Sequence, residues 1–186
     1  MATHVALLRG INVGGRNKIG MVGLRTAVSS LGYSEVSTYI QSGNVLFSTP
    51  ETDTTVLAQK LGEKIASTFV VNVGVVVVTR DQLAAILSQN PYPDEPNPKY
   101  VHVVFLGAEP DQALLDRIAA AGEAAAAKGT RDSVTVRGRV MYLHTPDGYG
   151  TSDLSQAVLR ISASVNGTAR NLATTTKLLA LCDGAA

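Results

Sequence analysis

Between Leu7 and Lys18 the chain runs Leu-Leu-Arg-Gly-Ile-Asn-Val-Gly-Gly-Arg-Asn-Lys, a short apolar stretch followed by three glycines, two asparagines and three cations. No carboxylate occurs in the first 34 residues. Glycine has no Cβ to block approach, so such a loop can bring backbone N–H groups close to an anion. Arg9 and Lys18 supply positive charge, Arg as a two-pronged donor and Lys as a mobile point charge. Asn12 adds an orienting amide, and Gly14 and Gly15 add open backbone. The chemistry these residue types point to is recognition of a phosphate or another small anion. The loop is not a P-loop, because Gly-x-x-x-x-Gly-Lys-Ser/Thr is absent, and it lacks the Gly-x-Gly-x-x-Gly dinucleotide fingerprint.

The elements that must position this loop are legible in the apolar periodicity. Residues 4–9 read as a buried strand. Met21, Leu24, Val28 and Leu31 recur at helical spacing, with Gly32 as a stop. Two β-rich runs, 36–41 and 44–48, flank Ser42-Gly43 and predict a hairpin. A helix over 53–68 and a β-branched strand over 73–79 complete the order β-α-β-β-α-β, the split ferredoxin-like arrangement. In that arrangement the first and second strands run the same way. The loop after the first strand and the turn of the hairpin then lie at one sheet edge, so Gln41, Ser42 and Asn44 are expected to face the same cleft as Arg9, Asn12 and Lys18. A helix N-terminus near residue 20 adds unpaired N–H groups. Arg16 and Arg25 are expected as solvated surface charges.

The second half predicts a short helix over 81–88 and an irregular loop over 90–98 that holds four prolines. A strand over 100–106 and a helix from Asp111 through the alanine-rich stretch to Lys128 follow. A hairpin then turns at Arg137-Gly138-Arg139, and helices over about 152–162 and 171–182 close the chain. The expected organisation is one α+β subdomain over 1–80 and a second over 81–186, with largely antiparallel sheets. Before the last helix, Arg170 and Asn171 with Lys177 form a second candidate anion contact. Arg170, Thr174 and Lys177 would share a helical face, and Asn171 or Thr168 would cap it.

Bulk properties exclude several classes. The 186 residues are 45% hydrophobic and 17% charged, enough apolar content for a packed core. Sixteen Lys plus Arg against fifteen Asp plus Glu argue against coating of nucleic acid, which draws on many phosphate contacts, while leaving room for a nucleotide or a local basic site. One cysteine, Cys182, permits no internal disulfide. His4, His102 and His144 are scattered without metal-ligand spacing, so no metal or cofactor is expected. No apolar run suggests a signal peptide or a membrane span, and a cytoplasmic protein is expected. No nucleophile or acid–base pair stands out. An enzyme acting on a phosphorylated or carboxylated metabolite therefore ranks below a binding protein, and a purely structural or oligomeric module is the third reading. Oligomeric state is not readable.

The same stretches carry a family resemblance. Leu7–Gly15, Lys18, Met21, Leu24-Arg25 and Thr38-Tyr39-Ile40-Gln41-Ser42-Gly43-Asn44-Val45 closely resemble the bacterial family catalogued as domain of unknown function 1697. Similarity continues through Tyr142-Leu143-His144, Asp147-Gly148-Tyr149-Gly150 and Thr168-Ala169-Arg170-Asn171 with Thr174 and Lys177-Leu178. The resemblance implies two ferredoxin-like subdomains and supplies no activity. The chain departs from the family pattern at Leu172 and Ala173, where the family has Trp-Asn, and at Asp153, where it has Lys. These departures fall in the C-terminal half and leave the N-terminal motif intact.

Overall fold

The computed structural model describes residues 1–15 and 17–185. Arg16, expected as a solvated charge, lies outside the described residues. The chain divides into two compact units, Met1–Ala85 with Lys177–Ala186, and Ile86–Thr176.

The first unit contains β1 (His4–Leu8), α1 (Met21–Ser29), β2 (Ser34–Tyr39), β3 (Asn44–Ser48), α2 (Thr54–Phe69) and β4 (Val75–Thr79), followed by α3 (Arg80–Ser88). Its strands form an antiparallel sheet in the order β2-β3-β1-β4. All five residues of β1 are buried, which suits a strand hydrogen-bonded on both sides and covered on both faces. Ala6, Leu8, Val45, Phe47, Val75 and Val77 share one face of the sheet with Leu24 and Val28 of α1 and Leu57, Leu61 and Ile65 of α2. Each fully buried leucine or isoleucine of this cluster contributes about 1.5–3 kcal/mol of hydrophobic stabilisation. Asp53 starts α2 by accepting from the N–H groups of Thr55 and Val56.

The second unit repeats the topology. Here β5 (Val101–Phe105), α4 (Gln112–Ala127), β6 (Ser133–Arg137), β7 (Val140–His144), α5 (Asp153–Ile161) and β8 (Thr168–Asn171) give a second antiparallel sheet, β6-β7-β5-β8. Both units are therefore ferredoxin-like βαββαβ sandwiches in an α+β chain. Val104, Leu106, Met141 and Leu143 pack against Leu114 and Ile118 of α4 and Leu154 and Val158 of α5. The alanine-rich stretch is helical throughout, and Asp111 caps it. The last helix is α6 (Leu172–Cys182). Among the described residues, no helix is long and apolar enough to cross a membrane.

Two expectations are corrected. Thr168–Asn171, read as the lead-in to a helix, is strand β8, paired with β5 from His102↔Asn171 to Phe105↔Thr168. Four residues with no apolar alternation carry no strand signal, and pairing with β5 decides their conformation. Arg170 consequently precedes α6 and shares no helical face with Thr174 and Lys177. The β2–β3 turn also spans residues 40–43, not two residues. Ile40, although β-branched, sits at φ +50° inside it.

Gly43 closes this turn under close contact. It has φ +80°, and a Cβ there would lie 2.7 Å from Leu8 Cβ and 2.9 Å from Ile11 Cδ1. Gly32 has a similar φ of +84° but open space around it. Gly43→Ala is expected to cost a few kcal/mol by overpacking plus backbone strain, and Gly32→Ala about 1 kcal/mol from strain alone. Urea denaturation of the two variants compares them, and equal costs would refute the packing argument.

Candidate functional site

The glycine loop is built from the point where β1 ends. The N–H of Leu8 donates to the Gly43 carbonyl at 2.8 Å, and the N–H of Arg9 to the Gly74 carbonyl at 2.8 Å. These bonds fix the chain's exit between the β2–β3 turn and β4. Five of the next nine described residues adopt left-handed backbone: Gly10, Asn12, Gly14, Gly15 and Asn17. Glycine and asparagine are the residue types that tolerate this region, which is why this composition can form the loop at all.

Asn12 organises it. Its side-chain nitrogen donates to the Ile19 carbonyl at 3.0 Å and to the Gln41 carbonyl at 2.9 Å. Its side-chain oxygen accepts the Ile19 N–H at 2.9 Å. One amide thus clips the two ends of the loop together and ties both to the hairpin turn. The Asn12 N–H donates to the Asn17 carbonyl at 3.2 Å, and the Asn17 side chain donates to the Gly10 carbonyl at 3.1 Å. Buried Ile11 and Ile19 anchor the base.

The loop and the hairpin turn therefore meet, with Asn12 against the Gln41 backbone. Asn12 and Asn44 use their amides to hold backbone: fully buried Asn44 donates to the Tyr39 carbonyl at 3.0 Å and approaches Ser42 Oγ at 3.4 Å. Exposed positions are Gly14, Gly15, Lys18 and Gln41, with Arg9 and Ser42 half-buried. A Cβ at Gly14 or Gly15 would meet nothing within 4 Å, so the loop tip is open. Among the described residues, no carboxylate forms an ion pair with Lys18. Arg25, expected as a solvated charge, is half-buried and donates to Thr38 Oγ1 at 2.9 Å.

The start of α1 completes the electrostatics. Its N-cap is Gly20, which makes no side-chain cap bond. The other helices begin differently: Asp53, Asp111, Ser152 and Asn171 cap α2, α4, α5 and α6, and Thr79 Oγ1 accepts from Gln82 in α3. The first-turn N–H groups of α1 thus keep their partial positive charge unscreened by a cap.

The C-terminal candidates are divided between the units, Lys177 falling in the first. Arg170 and Asn171 belong to the second unit, on β8. Arg170 is buried and donates to Thr168 Oγ1 at 2.9 Å and to the Ala169 carbonyl at 2.8 Å. Burial pulls its pKa down to about 10, with neighbouring Tyr149 opposing. The side-chain oxygen of Asn171 accepts the Thr174 N–H at 2.8 Å, a helix cap. Lys177 is half-buried on α6. Burial also drives His102, stacked on Tyr149 at 3.7 Å, down to about 4, and lifts Tyr149 to about 12. Among the described residues, no group of three or more His, Cys, Asp or Glu side chains is placed to hold a metal ion. The Asn12 and Asn44 amides hold backbone, the turn role that their residue type also allows.

A family model described as "Protein of unknown function (DUF1697)" matches residues 1–142. Among solved structures, a conserved bacterial protein, SP0830 from Streptococcus pneumoniae, superposes with a TM-score of 0.73 at 22% identity, covering 97% of this chain and 98% of that one. The likeness carries the fold. No curated protein matches.

Asn12→Ala should cost on the order of 1–3 kcal/mol, because it strips three hydrogen bonds and leaves the Ile19 N–H and carbonyl without partners. Hydrogen exchange is the readout: the Ile19 amide loses protection, and unchanged protection there would show that the clip does not hold the loop. Burial pushes the Cys182 thiol up to about 11. At pH 8 it should alkylate far more slowly in the native protein than in urea, and equal rates would contradict its burial.

Proposed function

The chain belongs to the DUF1697 family of proteins of unknown function, and we propose that its first unit binds a small phosphate-bearing anion at the glycine loop. The observation that carries the reading is the uncapped start of α1 beside a carboxylate-free loop with an open glycine tip. Three kinds of donor converge in sequence there: the first-turn N–H groups of α1, the backbone of Gly14 and Gly15, and the ammonium of Lys18. A helix N-terminus presents N–H groups and a positive dipole end to a phosphate. Lys18, two residues before the N-cap, adds a full charge. Arg9 and the Gln41 side chain flank the same segment and supply further donors. Asn12 holds the frame in place without spending its amide on the ligand.

The ligand classes that fit are a phosphomonoester, a nucleotide or a terminal phosphate of an oligonucleotide. Binding ranks above catalysis because no general base or nucleophile accompanies the loop. Thermal unfolding with pyrophosphate at low salt tests the reading. A ligand at a hundred times its dissociation constant stabilises by about 2.7 kcal/mol, a readily measured rise in melting temperature. Lys18→Glu should abolish the rise without lowering the melting temperature of the ligand-free protein. The rise should also shrink as salt shortens the Debye length to about 10 Å at 0.1 M. An identical rise in wild type and Lys18→Glu would overturn the proposal.

A further inference from the structure

The first unit gathers its exposed apolar side chains at one end. β1 and β2 run one way and β3 and β4 the other, so the exit from β1, the turn before β3 and the entry to β4 share an end of the sheet. α1 starts at that end and α2 finishes there. Hydrogen bonds tie the segments together. The Arg9 N–H donates to the Gly74 carbonyl at 2.8 Å, and Asn12 links Ile19, just before α1, to Gln41 of the turn. A Cβ on Gly23 of α1 would stand 3.2 Å from the Phe69 ring at the end of α2, so the two helix ends adjoin. Among the described residues, the exposed large hydrophobics are Met1, Val13, Val22, Ile40 and Val70. All but Met1 belong to this end: Val13 to the glycine loop, Val22 to the first turn of α1, Ile40 to the β2–β3 turn, and Val70 to the C-cap of α2. Apolar residues scattered singly over a surface are ordinary, but these sit on adjoining segments.

Two of them are held there against backbone preference. Ile40 has φ +50° and Val70 φ +56°, left-handed backbone in which a β-branched residue is an outlier. Glycine or asparagine usually ends a helix in this conformation. Val70 does so while 91% exposed, so its methyl groups give the fold almost no burial in return. Strain without folding gain points to a surface with another use. The charge distribution is equally one-sided. Residues 9–20, 40–43 and 70–74 include Arg9 and Lys18 and contain no carboxylate, while Glu35, Glu51 and Asp53 fall at the opposite end of the sheet. This asymmetry turns the glycine-loop end toward a negatively charged surface. The exposed side chains at that end are all aliphatic. Nucleobases stack on aromatic rings, whereas aliphatic groups beside cations suit a phospholipid surface, where acyl chains lie behind phosphates. Contact of this kind needs no spanning helix.

We propose that this end of the first unit docks on an anionic phospholipid surface, with Val13, Val22, Ile40 and Val70 entering the acyl boundary and the phosphate of phosphatidic acid held at the glycine loop. The inference rests on the phosphate reading of that loop and names the molecule that carries the phosphate. Full-length protein is sedimented at low salt with phosphatidylcholine vesicles, with and without phosphatidic acid. Binding is expected only to vesicles that contain phosphatidic acid, and Lys18→Glu should abolish it. Val70→Asn should weaken it about threefold, and Val70→Asn with Ile40→Asn about tenfold, through lost apolar burial. Asparagine tolerates left-handed backbone, so both substitutions keep the fold, and both should leave the pyrophosphate-induced rise in melting temperature unchanged. A rise with pyrophosphate but no vesicle binding would overturn the docking and leave the phosphate reading intact. Equal vesicle binding by wild type and the double variant would overturn the docking, as would tighter binding of a terminally phosphorylated oligonucleotide that vesicles do not displace. Vesicle binding that survives Lys18→Glu, with no pyrophosphate rise in wild type, would overturn the phosphate reading and the inference built on it.

Discussion

Each unit depends on a central strand that is paired on both edges. β1 lies between β3 and β4, and β5 between β7 and β8. A strand in this position can leave the sheet only through the gap between the hairpin turn and the start of the last strand. Both units use the same device there. Leu8 and Arg9 bond to the Gly43 and Gly74 carbonyls, and Leu106 and Gly107 bond to the Arg139 and Val165 carbonyls. The repeat extends to single hydrogen bonds, although the two halves share no repeated residue pattern. Backbone geometry set by an antiparallel sheet is enough to reproduce it.

After this shared exit the two loops diverge, and the divergence is one of chemistry. In the second unit the Arg139 guanidinium donates to the Leu106 and Gly107 carbonyls, and Asp111 caps the helix after a short connection. In the first unit the connection is longer and rich in glycine, and the helix starts without a side-chain cap. Replacing a capping carboxylate by glycine forgoes only about a few tenths of a kcal/mol of helix stability. That local loss is offset by the Asn12 clip, which supplies three hydrogen bonds from one side chain. A fold that contains the same strand exit twice can thus carry two chemically different loops.

Much of this was legible in the sequence because the strongest patterns are local. The all-apolar run of β1, the leucine spacing of α2 and the Asp111 start of α4 declare themselves within a single turn or strand. The hairpin expected at Arg137-Gly138-Arg139 does so too, with Arg137 ending β6. β8 was not legible, since Thr168–Asn171 is a strand only because β5 offers an unpaired edge. The position of Ile40 was hidden for a related reason. A β-branched residue favours extended backbone, whereas Ile40 sits at φ +50° in a turn closed by the Asn44–Tyr39 bond and by Gly43 against Leu8. Glu95 and His144, 49 residues apart, give no sequence signal for their pairing.

The asparagines show how one residue type serves two chemistries. An amide in a basic, glycine-rich loop suits a ligand and suits a turn equally well by composition. Geometry separates the two uses, because a side-chain amide that already meets three backbone groups has no donor hydrogen left to offer. Lys18 has the opposite character: an ammonium cannot cap a carbonyl-poor loop start, and its position two residues before an uncapped helix brings like charge toward a positive dipole end. That placement costs stability in the absence of an anion. At the N-cap itself, where α1 has Gly20, α2, α4 and α5 carry Asp53, Asp111 and Ser152.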